Sequence, residues 1–197
     1  MRTHAIVAVL TTIVATTSVT AAKAPTLPPS EEEAKDRLNH SPRHGEVVTI
    51  DVDGTPVHAW LVHPQRKDKA PVVLVIHEIF GLTDWIRAVA DQLAADGFIA
   101  IAPDLLSGKG PNGGGTDAFA SRDDVTKAVS GLDRQEVIKR LDAVRAYAIG
   151  LPSSDGHSMA IGFCWGGTTT FAYATEQPRL NGAVVYYGTA PEDEAAL

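Results

Sequence analysis

One cysteine occurs in 197 residues, Cys164, and it stands in "IGFCWGG" with glycines at 162, 166 and 167. A thiol is intrinsically nucleophilic, and acyl chemistry through sulfur needs it presented on a corner where a carbonyl carbon can reach it. The pattern G-x-C-x-G-G follows an apolar run, "HSMAIGF" (157–163), and precedes residues 165–175 of helical character. That is the strand, turn and helix context of the nucleophile elbow G-x-S-x-G, with sulfur in place of oxygen. Glycines at 162 and 166 carry no Cβ to collide as strand and helix close around a strained residue. A helix opening at Trp165 offers free N–H groups and partial positive charge, which favours a thiolate. The Trp165 N–H, next after the nucleophile, can also face the oxyanion of a tetrahedral intermediate. A second donor is expected from the loop after the strand at 71–77, at the N–H of Ile79. Two competing readings make Cys164 a filler of a glycine-rich turn or a redox thiol, the latter without a resolving cysteine in the sequence.

Glu78 is the second singular residue, a carboxylate closing the apolar run "APVVLVIHE" (70–78). Beside a thiol it can hold or take a proton; away from one it is a solvated glutamate at a loop start. His77 precedes it on the same strand. Adjacent strand residues point to opposite faces, which favours His77 as a structural donor over a catalytic base.

The elements that must position these groups are legible as a series. "EVVTIDVDGTPVHAWLVH" (46–63) reads as two alternating stretches joined by Asp-Gly, an antiparallel ribbon. The runs 70–78 and "FIAIAPD" (98–104) are continuous and apolar, as strands covered on both faces of a parallel sheet are. Helical spacing of apolar residues recurs between them at 86, 89, 90, 93 and 94, and again over 122–149, with a break expected at Gly131. "GAVVYYG" (182–188) is the last strand in the sequence. A ribbon followed by repeated strand and helix units implies an α/β fold: a doubly wound, mostly parallel sheet with an N-terminal antiparallel ribbon. In such sheets the reactive groups lie beyond the carboxyl ends of the strands, which is where Cys164 and Glu78 fall.

The composition, 44% hydrophobic and 21% charged with a net charge of −7, is that of an ordinary globular domain. It has no basic block with interleaved aromatics, so nucleic acid is not an expected partner. Residues 1–24 run from Arg2 through an apolar stretch to small residues near Ala21 and Ala22. This is the layout of a signal peptide, too short for a membrane span, and it predicts export with no stable membrane association after cleavage. Residues 25–45 combine prolines with three consecutive glutamates and read as a solvated linker with a helical turn at 31–38. The domain proper is expected over 46–197.

"VVLVIHEIFGLTDWIRAVADQLAADGFIAIAPDLL", "MAIGFCWGG" and "VVYYG" together resemble the dienelactone hydrolase family, α/β-hydrolases with a cysteine nucleophile. The resemblance covers residues 46–188. It implies hydrolysis of carboxylic esters or enol lactones, small molecules, with no metal or organic cofactor. Residue by residue it makes Cys164 the nucleophile, Glu78 an accessory carboxylate, and Ile79 and Trp165 the oxyanion donors. The family's triad aspartate and histidine follow further strands downstream of "VVYYG", so with this sequence ending at Leu197 a C-terminally incomplete sheet is expected. Members acting on dienelactone carry an arginine after the "APDL" strand. Here that loop reads "LSGKGPNGGG", and Lys109 is the nearest cation for a substrate anion, a point charge without the bidentate fork. The alternative from another class is a non-catalytic small-molecule binder, or an inactive fragment, that keeps the fold without the triad.

Overall fold

The computed structural model describes residues 28–190. The signal-peptide expectation for 1–24 lies outside them. In chain order the elements are α1 (Glu31–Asn39), β1 (Gly45–Val52), β2 (Thr55–Val62), β3 (Ala70–Ile76), α2 (Asp84–Ala95), β4 (Ile99–Pro103), α3 (Arg122–Ser130), α4 (Arg134–Ile149), β5 (Ser154–Phe163), α5 (Trp165–Glu176) and β6 (Gly182–Tyr186).

Six strands form one sheet in the order β1-β2-β4-β3-β5-β6. The Asp53-Gly54 turn has φ of 50° and 79°, the paired left-handed conformation that matches strand twist in a two-residue hairpin, so the expected ribbon forms. β2 runs antiparallel to β4, and β4, β3, β5 and β6 are mutually parallel. Neighbouring residues of β3 feed different layers: Leu74 and Ile76 join Leu141, Val144 and Tyr173 of α4 and α5, whereas Val75 joins Ile86, Val89 and Ala90 of α2. That period-2 division explains the unbroken valine-rich run, since both faces of the strand are covered. Helix starts are capped by side chains of the expected type, Thr83 for α2, Ser121 for α3 and Asp133 for α4, and Gly131 separates the last two.

In residues 28–45 the helical turn expected at 31–38 forms as α1, and the segment around it is docked on the domain rather than a free linker. Ser30 and Glu33 make a reciprocal capping box at the start of α1, and Glu31, Glu32 and Glu33 complement the helix N-terminus. Arg43 then grips Asp91 of α2 through Nε (2.9 Å) and Nη2 (2.5 Å), and Trp85 Nε1 donates to the Pro29 carbonyl at 3.1 Å. Asp91 is buried in this pair and Arg43 is partly so. The three glutamates stay exposed at the α1 N-terminus, and it is Arg43 that ties the segment to the domain.

Candidate active site

Cys164 joins β5 to α5 with φ 55° and ψ −121°, a left-handed conformation unfavourable for a residue with a side chain. The glycines make it possible. A Cβ at Gly166 would run into the carbonyl oxygens of Ile76 and His77, and one at Gly167 would lie 2.6 Å from the Tyr186 carbonyl oxygen. The corner is therefore pressed against the ends of β3 and β6 on either side. Its own amide donates to the Tyr186 carbonyl (3.0 Å), and its carbonyl accepts from Thr168 N–H (3.1 Å). The thiol residue is half-buried, open to a reactant rather than sealed in the core.

Glu78 follows the adjacent strand β3, two residues beyond Ile76, and is half-buried. Its Oε1 accepts a hydrogen bond from the Tyr187 hydroxyl at 2.9 Å. Local desolvation, the hydrogen bond and charge of Glu78, and the charge at Cys164 together push the Tyr187 phenol up to about 12. Glu78, Tyr187 and Cys164 thus share one electrostatic neighbourhood.

His77 is fully buried. Its Nδ1 lies 2.7 Å from the Glu78 carbonyl oxygen, and its Nε2 accepts from Leu105 N–H at 3.3 Å. The backbone partners assign the Nδ1–H tautomer. Burial, the leading cause, moves its pKa below the ordinary histidine value, outweighing the Glu78 carbonyl and the charge of Asp104. With both nitrogens engaged by backbone, His77 is a structural strut between the loops after β3 and β4. Its ring also stacks on Trp165, with centroids 5.5 Å apart. His157 lies near the start of β5 beside Asp155, far along the strand from Cys164, and His58 belongs to the ribbon beside Thr49.

Trp165 opens α5, so its amide is among those a helix leaves without an intrahelical acceptor. The side chains of Trp165 and Ile79 pack on one small cluster formed by Leu106, Val125 and Val129, so α3 roofs both expected oxyanion residues. Lys109 lies on the loop after β4, where its Nζ donates to Glu136 of α4 at 2.8 Å. This hydrogen bond is the main reason the Glu136 carboxyl is held below the usual range. A cavity of about 190 Å³ between α4 and α5 has Trp165 and Thr168 in its wall. Cys164 is not among its lining residues, so the cavity flanks the corner.

Two residues of this region carry no role in the sequence reading. Tyr187 was visible only as part of "VVYYG", although its place just past β6 is the strand end where reactive groups gather. Asp104, closing "FIAIAPD", is buried and accepts from Thr116 N–H (2.7 Å), Thr116 Oγ1 (2.7 Å) and Leu106 N–H (3.1 Å).

The model of the dienelactone hydrolase family matches residues 57–197. The chain belongs to the dienelactone hydrolase family. A Salmonella typhi protein named for carboxymethylenebutenolidase activity is 38% identical over 149 residues, covering 72% of this chain and 52% of that protein. Its namesake in Escherichia coli K12 is 36% identical over 155 residues, covering 75% and 54%. The chain spans about half the length of the curated relatives it matches. Among solved structures, a Klebsiella pneumoniae protein described as a dienelactone hydrolase superposes with a TM-score of 0.67 at 31% identity, covering 77% of this chain and 62% of that one. A dienelactone-hydrolase-like promiscuous phosphotriesterase from metagenomic libraries gives 0.64 at 28% identity, with 78% and 63% covered. The mixed sheet is accordingly that of the α/β-hydrolase fold. The family match begins at residue 57, within β2, so α1 and β1 precede it.

Proposed function

We propose that this protein hydrolyses carboxylic esters or enol lactones through a thioester on Cys164. The sulfur attacks the substrate carbonyl carbon and the carbonyl oxygen takes up the negative charge, facing the N–H groups of Trp165 and Ile79. Collapse breaks the acyl–oxygen bond, the departing oxygen (still tethered to the acyl chain in a lactone) takes up the proton that left the thiol, and the acyl group stays on sulfur. Water then attacks the thioester, releasing the carboxylic acid and restoring the thiol. In this reading Glu78 manages the thiol proton. The family's histidine and aspartate are expected downstream of the β6 corner, and this sequence has no histidine after His157. Lys109 is the proposed point charge for a substrate anion. We also propose export directed by residues 1–24, which N-terminal sequencing of the mature protein near Ala22 would report.

The observation that carries this reading is the left-handed Cys164 at a strand-to-helix corner, half-buried and held by glycine contacts. Incubation with an activated ester such as p-nitrophenyl acetate, followed by peptide mass spectrometry, is expected to show an acetyl group on Cys164. An unmodified Cys164 peptide under these conditions would support the second reading, a non-catalytic small-molecule binder. That reading is favoured by the engagement of both His77 nitrogens with backbone.

A further inference from the structure

Tyr187 has φ of 40°, a second left-handed residue with a side chain at the same end of the sheet. For a bulky aromatic residue this backbone is costly and persists only where the surroundings enforce it. Two contacts do so. The peptide immediately before it receives the Cys164 amide through the Tyr186 carbonyl. The residue immediately after it, Gly188, rests on the backbone of Gly167 and Thr168, too close for any side chain. The chain therefore turns sharply over the start of α5, and the turn aims the phenol at Oε1 of Glu78, 109 residues away in sequence. The ring also sits 6.2 Å from that of Phe163, the residue before the cysteine.

We propose that Tyr187 is a positioning residue whose hydroxyl fixes the Glu78 carboxylate beside Cys164, in the orientation from which that carboxylate receives the thiol proton. The proposal rests on the reading of Cys164 as nucleophile. In this step the S–H bond breaks, sulfur keeps the electron pair, and the proton passes to Glu78, whose Oε1 already accepts from Tyr187. Tyr187 from the β6 corner donates to the Glu78 carboxylate, Cys164 from the β5–α5 corner acts by charge on that same phenol, and His77, next to Glu78 after β3, bonds the Glu78 backbone carbonyl and feels the charge of Asp104. The upward displacement of the phenol keeps Tyr187 a neutral donor throughout the neutral range.

The test needs no substrate: the rate of Cys164 alkylation by iodoacetamide, followed from the acid to the alkaline side of neutrality, in the parent, Tyr187→Phe, Glu78→Gln and the double variant. Phenylalanine keeps the ring beside Phe163 and deletes only the donor. Tyr187→Phe is expected to slow alkylation near neutrality about tenfold, the scale of one hydrogen bond to a charged group. It should also alter the shape of the pH profile, and have little further effect in the Glu78→Gln background. Equal fold-losses in the two backgrounds, a uniform loss with an unchanged profile, or no loss would each overturn the proposal. Should Tyr187→Phe fail to fold, absorbance titration of Glu78→Gln gives an independent reading. The phenol titrating near 12 should return toward the ordinary tyrosine value, and an unmoved titration would overturn the pairing. Because alkylation is separate from turnover, a missing acetyl adduct would sink the hydrolase reading while leaving this coupling to be decided by its own data.

Discussion

Two carboxylates close two adjacent parallel strands, and they live in opposite circumstances. Asp104, after β4, is buried and saturated by three donors, two from Thr116 and one from the Leu106 amide. Glu78, after β3, is half-buried, and among the described residues its carboxylate accepts from one phenol. Residue type and place in the sheet are alike. What separates them is the number of donors: a fully satisfied buried carboxylate fastens a loop, whereas one with spare acceptor capacity can exchange a proton. His77 stands between them, bonded to the Glu78 carbonyl on one side and to the Leu105 amide on the other.

This contrast can be broken by substitution. Asp104→Ala strips the acceptor from three buried donors and is expected to cost about 3 kcal/mol or more, read as a lower urea midpoint at unchanged slope. Glu78→Gln should leave that midpoint within about 0.5 kcal/mol while lowering ester turnover about 100-fold, the range of a lost proton-transfer group. If Glu78→Gln unfolds the protein and Asp104→Ala only slows it, the assignment of the two carboxylates is reversed.

A pH titration sharpens the same contrast. The folded-state pKa of Tyr187 is raised, so its contribution to stability is complete below the unfolded tyrosine value near about 10 and is lost as pH climbs toward about 12. Tyr173, displaced in the same direction by burial and by its hydrogen bond to Asp142, is the internal control. Glu78→Gln should lower the Tyr187 part of the alkaline transition toward the ordinary tyrosine range, keeping the share due to desolvation, and leave Tyr173 unmoved, as absorbance titration would reveal. The smallest effect belongs to Lys109→Ala, which removes an exposed ion pair with Glu136 worth about 0.5 kcal/mol or less. Its informative readout is kinetic: a few-fold rise in KM for an anionic ester with none for a neutral one.

Local signals in the sequence covered the scaffold well. Asp53-Gly54 announces its hairpin because two left-handed residues in succession have few other uses, and valine-rich β3 announces double coverage by never alternating. Cys164 was legible for the same reason, since the glycines around it are needed by the corner itself. The features with no local signal depend on distant partners. Arg43 and Asp91 are 48 residues apart, so their pairing, and the docking of α1 that goes with it, leave no local trace. Asp104 and Glu78 look equivalent as carboxylates ending apolar runs, and only the loop that brings Thr116 back to Asp104 tells them apart. Tyr187 required knowledge of its φ, because a tyrosine after a strand is unremarkable until the chain bends it over a neighbouring helix.

The tight seating of Gly166 on the carbonyls of Ile76 and His77 has an evolutionary corollary. A single methyl group there would wedge α5 off the end of β3, so this turn is closed to gradual mutational exploration. Variation compatible with this fold is left to surface positions away from the corner, such as the exposed Lys109 on the loop after β4.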